Sequence, residues 1–207
     1  MLDSQLLSLT ACREENSPVE MLFSLEKSAG SEKLFSLSAH KLHRGKEASK
    51  TAVVTILQSP QRILGFQVSP DGQNIVAITK EAFRIGTLER RKDGPLNGIN
   101  YDWREISTPK QILCFGTRTQ AIKKSHKKDS KIKQTLSQQQ LDVVVGSVSG
   151  ALYVYEDVLN TILRMEKAKN QTYNAADMEP RILHWHREAV GAVKWSLDGK
   201  IFLPAFL

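Results

Sequence analysis

Cysteine is scarce in this chain, with two among 207 residues, and long hydrophobic runs are missing altogether. Cys12 and Cys114 stand far apart with no CxxC partner, which excludes a disulfide framework and fits a reducing compartment. The longest apolar stretches, around 112–115 and 143–145, fall far short of the roughly 18 residues that cross a bilayer. The N-terminus has Asp3 early and no basic segment ahead of an apolar one, so no secretory or membrane address is read. The sequon at 170–172 then meets no glycosylating lumen.

Signatures of catalysis are lacking too. There is no GxGxxG, GxxxxGK[ST], GxSxG or HExxH, and no HxE with PCxxC. "GSVSG" at 146–150 sits between two strand-like runs with no following helix, so turn chemistry explains it. Glu14 with Glu15, and Glu156 with Asp157, are paired only by adjacency, which places them on opposite strand faces or in a loop rather than as an acid–base pair. The expectation is a protein with no enzymatic activity, no cofactor, no metal and no small-molecule substrate.

Positive charge is present, but in one place. The net charge is +7, and residues 118–133 hold Arg118, Lys123, Lys124, Lys127, Lys128, Lys131 and Lys133 against Asp129 alone, leaving +1 for the rest. A near-neutral body therefore carries one basic segment. With no aromatic between them, the six lysines suit contact with an RNA phosphate backbone, a nuclear-import signal, or a solvated surface loop, and composition leaves all three open.

Strand periodicity runs through the remainder. Short alternating or apolar segments occur at 19–27, 33–42, 51–58, 62–69, 73–80, 82–89, 101–107, 111–117, 141–147, 151–157, 181–186, 191–196 and 200–203. The fold class is all-β. Residues 156–170 break the pattern, since Leu159, Ile162, Leu163 and Glu166 recur at helical spacing, predicting a short amphipathic helix that docks a partner or covers a sheet edge. Two segments, "FQVSPDGQNIVAI" (66–78) and "VKWSLDGKIFL" (193–203), share one design: apolar strand, Ser, one residue, Asp-Gly, and a second apolar strand. Asp71-Gly72 and Asp198-Gly199 suit a tight antiparallel turn, because glycine takes positive φ at little cost and the carboxylate bonds the local backbone. A second kind of hairpin, "VVVGSVSGALYVYED" (143–157), turns at Ser149-Gly150. Alternating the two gives four-stranded units.

These hairpins, the aromatic-acid pair Tyr155-Glu156 and the run "LHWHREAVGAVKWSLDGK" (183–200) resemble WD-repeat proteins. The likeness is most specific to the WD-repeat subunits of the small-subunit processome, in its transcription-associated subcomplex, and it covers roughly residues 19 to 200. It implies a WD-repeat β-propeller fragment of about three antiparallel four-stranded blades whose ring is not closed. Residues 19–58 give three strands of one blade, 62–107 a second, 111–186 a third with insertions near 118–140 and 158–179, and 191–203 the start of another. Residues 1–18 are left without assignment. The two Asp-Gly motifs lie 127 positions apart, which two blades of about 40–45 residues plus two insertions would fill. In the family's pattern, His186 belongs to a hydrogen-bonded network with Trp195 and a turn Asp that would lie beyond residue 207.

The same resemblance implies a nucleolar scaffold in ribosome biogenesis that supports pre-rRNA transcription and small-subunit rRNA processing. Its partners would be other processome subunits and pre-rRNA or small nucleolar RNA, with no membrane. A different reading keeps the fold and makes the protein a general adaptor in chromatin, ubiquitin-transfer or trafficking complexes. His184 and His186 have no third ligand at metal spacing, and Trp185 and Trp195 read as blade aromatics rather than base-stacking platforms. "IFLPAFL" departs from the family, and Pro204 is expected to stop the strand there, making 204–207 an aberrant or truncated end.

Overall fold

The computed structural model describes residues 4–13, 19–28, 34–43, 52–89, 100–121, 139–168, 178–184, 187–196 and 200–206. Among these the chain is all-β, with fourteen strands and one helix. The strands form four open antiparallel sheets of four, four, four and two strands, each a plain meander. They fall into two compact units, Met1–Ile106 and Ser107–Leu207.

The first unit contains two sheets. β1 (Ser4–Arg13), β2 (Val19–Ser28), β3 (Phe35–His43) and β4 (Ala52–Ser59) make one, and β5 (Gly65–Val68), β6 (Asn74–Ile78), β7 (Ala82–Glu89) and β8 (Asn100–Ser107) the other. Strand alternation places Phe23, Leu25, Phe35, Leu37 and Ala39 on one face of the first sheet. That face packs on Phe66, Ile75, Ala77 and Tyr101 of the second in a single apolar core. Tyr101 meets Phe23 edge to face with ring centroids 6.4 Å apart, and its hydroxyl donates to the Gly72 carbonyl at 2.7 Å. Trp103 Nε1 donates to the Ile56 carbonyl at 2.8 Å, tying β8 to β4. Its indole lies against Gly86, where a Cβ would meet the ring at 2.9 Å.

Segment 4–13, absent from the periodic strands read above, pairs with β2 as an edge strand. Its register shifts between Leu6 and Ser8. The bulge puts Leu6 opposite Glu26 and Leu9 opposite Ser24, so two leucines three apart share a face.

In the second unit the sheet order is β12 (Arg181–His184), β11 (Ala151–Tyr155), β10 (Gln139–Ser147), β9 (Ile112–Ala121). Val144, Leu152 and Val154 of this sheet pack on Val190 and Val193 of β13 (Val190–Trp195), with Phe202 and Phe206 of β14 (Phe202–Phe206) closing the core. The approach is close because Gly116 and Gly146 face the hairpin. A Cβ on Gly146 would lie 2.7 Å from Val190 Cγ1, and one on Gly116 would lie 3.1 Å from the Val193 carbonyl. The expected helix forms as α1 (Val158–Ala168), with Val158, Leu159 and Ile162 buried, and it packs on β10. Its apolar stripe covers the sheet rather than facing solvent. Burial pushes the Tyr155 phenol well up, with neighbouring Tyr153 adding to the effect.

Two strand ends differ from expectation. β9 and β10 run into the polar region, pairing Arg118 with Asp142, Thr119 with Leu141 and Gln120 with Gln140. Polar pairs extend a hairpin where both strands already have a neighbour to continue from. Pro204 does not stop its strand, because β14 passes through it to Phe206 with Pro204 opposite Val193. The Ser196 amide donates to the Ile201 carbonyl at 2.8 Å, so that pair is hydrogen-bonded and alternate pairs follow suit. Val193–Pro204 falls at a non-bonded position. The missing N–H points away from β13, and no ladder bond is lost.

Candidate functional site

The Asp71-Gly72 turn is built as its residue types require. Gly72 has φ 69° and donates to the Ser69 carbonyl at 2.8 Å. Asp71 Oδ1 accepts from Ser69 Oγ at 2.7 Å and from the Gln73 amide at 3.1 Å, while Ser69 Oγ accepts from the Asn74 amide at 2.9 Å. Serine and aspartate thus satisfy the backbone that the tight turn leaves open. Ser149-Gly150 forms the other expected turn, with Gly150 at φ 79° and its amide donating to the Ser147 carbonyl at 3.3 Å. Ser147 Oγ donates to the Ala151 carbonyl and lies 2.9 Å from Ser149 Oγ. These are structural turns: their side chains bond within the loop, and the Gly72 and Ser149 carbonyls tie them to Tyr101 and His184.

Other expected residues lie outside the described ones: Lys123, Lys124, Lys127, Lys128, Lys131, Lys133, Trp185, His186, Asp198 and Gly199. His184 is exposed on β12, and its Nε2 lies 3.0 Å from the Ser149 carbonyl. Among the described residues, no three His, Cys, Asp or Glu side chains gather as a metal site would require.

Trp195 is half-buried on β13, edge to face with Phe202 at 5.1 Å. Its Nε1 meets no acceptor among the described residues, and its ring instead carries the Arg118 guanidinium, 4.4 Å from the centroid. Arg118, counted above with the basic segment, is committed to structure. Its Nε donates to Asp142 Oδ2 at 2.8 Å, and Nη2 bonds the same oxygen. Asp142 is 1% exposed and has further donors in Gln140 Nε2 at 3.1 Å and the Asp157 amide at 2.8 Å. Asp157 takes a left-handed conformation at φ 49°, its carbonyl starts α1 by accepting from Thr161, and its carboxylate accepts from Asn160. Asp142 therefore joins β9, β10 and the start of the helix, and Arg118 carries the link on to Trp195 of β13. A buried carboxylate with this many donors is a structural hub. Nothing local in the sequence marks this pair, because Arg118 meets Asp142 only once β9 and β10 are in register.

A second polar group on the first sheet also escaped notice. Ser24 Oγ donates to Glu26 Oε1 at 3.0 Å and lies 2.7 Å from His40 Nε2. The hydroxyl has one proton and gives it to Glu26, so His40 must be the donor in the second bond. That is the reverse of a serine activated by a histidine base. Compared with known proteins, the chain matches no family model and no curated sequence.

Elsewhere, an open depression of about 190 Å³ is lined by Gln61, Arg62, Lys80 and Glu81, all exposed. Ligand pockets enclose roughly 300–1,000 Å³ and converge buried polar groups on an apolar lining. This depression offers solvated side chains instead. The free thiol of Cys114 donates to the Val190 carbonyl at 3.3 Å, and burial pushes its pKa up to about 11. A thiol so held is a poor nucleophile at neutral pH. What the described surface offers is sheet faces.

Proposed function

We propose that this chain forms consecutive blades of a WD-repeat β-propeller and acts as a non-catalytic scaffold in the nucleolus. There it supports pre-rRNA transcription and small-subunit rRNA processing within the small-subunit processome. The observation that carries the reading is the repeated four-stranded meander, stacked face to face on its neighbour and turned by the Ser-Pro-Asp-Gly hairpin. The likeness of residues 183–200 to processome WD-repeat subunits adds the cellular setting. Sheet faces and loops dock sibling subunits, while the lysines at 123–133 touch RNA phosphates or carry the import address.

The test is to tag the full chain, locate it in cells and sequence the RNA that comes down with it. Nucleolar staining with small nucleolar RNA recovered is the expected result; vesicular staining, or recovery of none, overturns the scaffold. Replacing Lys123, Lys124, Lys127, Lys128, Lys131 and Lys133 with Gln lowers RNA crosslinking or nuclear entry. Each phosphate contact removed flattens the slope of log affinity against log salt by about 0.7–0.9. If crosslinking, entry and slope all stay put, that segment has neither role.

A further inference from the structure

Besides Leu7, Leu113, Val148 and Ile182, the exposed large apolar side chains among the described residues form two groups, each sharing a sheet face. Leu6 (56%), Leu9 (53%) and Val53 (57%) lie on the face of the β1–β4 sheet opposite its core. Cross-strand pairing places them around a polar centre, since Leu6 faces Glu26, Leu9 faces Ser24 and Val53 faces His40. Ile201 (57%) and Leu203 (65%) lie on or next to β14, again away from the core. The inward residues there are Val190, Val193, Trp195, Phe202 and Phe206. The outward ones are Ala192 and Lys194, opposite Ala205 and Leu203. Lys194 is the only charged side chain in β13 and β14.

We propose that these two faces bind each other between two copies of the chain, the outer face of β13–β14 in one copy seated on the outer face of the β1–β4 sheet in the next. Three observations support that occupant. Each unit already joins its sheets by laying one apolar sheet face on another, so the contact repeats a packing mode the sequence uses twice. The faces carry opposite charges at these positions: Glu26 faces Leu6 beside Ser24 and His40 on one, and Lys194 faces Leu203 beside two alanines on the other. Such a pair fixes register and disfavours either face binding its own kind. Edge pairing, the competing route, is hindered at β14, where Pro204 turns its donor-less nitrogen outward. The contact is heterologous, so copies join head to tail, closing into a ring or extending as a filament according to the rotation between them. This stands apart from the nucleolar reading, since it depends on the sheets alone.

The test uses the full chain in sedimentation velocity over a concentration series. Expected is a weight-average mass that rises with concentration from 23.2 kDa through a range of oligomers. Leu203→Glu, at a solvent-exposed position, weakens association about tenfold or more, as do Lys194→Glu and Glu26→Lys singly. Glu26→Lys combined with Lys194→Glu in one chain restores it. Mixing Leu203→Glu chains with chains carrying Leu6→Glu and Leu9→Glu yields a one-to-one dimer and nothing larger, because only one complementary pair of faces remains. Far-UV circular dichroism confirms that each variant keeps its strands. A chain that stays monomeric throughout overturns the proposal. So does association untouched by Leu203→Glu, a double charge swap that fails to restore it, or a mixture that gives no dimer.

Discussion

Gly146→Ala tests the closest approach in the second unit. The added Cβ would stand 2.6 Å from Cys114 Sγ, 2.7 Å from Val190 Cγ1 and 2.8 Å from Val190 Cβ. The sulfur can swing aside, but Val190 Cβ is one bond from its backbone, so β13 has to withdraw by about 1 Å to regain an ordinary carbon contact of about 3.5–4.0 Å. A gap of that size forfeits about a quarter to a half of each dispersion well across the seam of Val190, Val193 and Trp195. Overpacking a filled core costs about 1–3 kcal/mol. Removing glycine's freedom from the unfolded chain offsets roughly 0.5–1 kcal/mol of that. The net is a loss of about 1 kcal/mol, or roughly fivefold greater population of the open form. Native-state hydrogen exchange read by peptide mass spectrometry reports it as lost protection in β10 and β13, with β2, β3 and β6 unchanged. Equal or greater protection in the variant would refute the close approach. Adding Cys114→Ala relieves only the sulfur contact, so the double variant remains destabilised; full recovery would show that the thiol, and not the strand, was the obstacle.

Asp142→Asn removes the carboxylate that holds Arg118 and the start of α1, leaving a guanidinium only 20% exposed without its counter-charge. Because Arg118 retains some solvent, the loss falls below that of a fully buried pair, at about 2 kcal/mol, read as a lower urea midpoint with an unchanged slope. With Cys12 replaced by Ser, the Cys114 thiol reacts with iodoacetamide about 100-fold more slowly than a free thiol near neutral pH, until the chain is unfolded. The fold holds the Cys114 proton more tightly than the unfolded chain does, so stability falls as pH rises between about 9 and 11. Urea midpoints that rise over that window would reverse the sign.

The period-two pattern carried most of the strands, and β7 falls on residues 82–89 as read from alternation alone. Turn chemistry was equally legible, because Asp71-Gly72 and Ser149-Gly150 act within four or five residues of themselves. What escaped depended on non-local pairing. β1 escaped because its bulge breaks the alternation, setting Leu6 and Leu9 three apart on one face, a spacing that by itself resembles a helix. The ends of β9 and β10 escaped because polar residues there gain from a cross-strand partner rather than from burial. Arg118 shows the same limit: beside lysines in sequence it reads as part of a cationic tract, yet its strand places it on Asp142 and Trp195. Pro204 misled in the opposite direction. Proline's cost in a strand depends on which way its nitrogen points, and only the register with β13 decides that.

The orientation of Pro204 bears on how the molecule fails as well as how it folds. A two-stranded ribbon whose outer strand runs from Phe202 to Phe206 is the kind of template on which fibrils grow by adding strands. Here an incoming strand would meet a missing rung midway between the two phenylalanines, leaving its own carbonyl unanswered. Templated growth therefore stalls at the second step, and a crowded chain is steered away from amyloid-like extension.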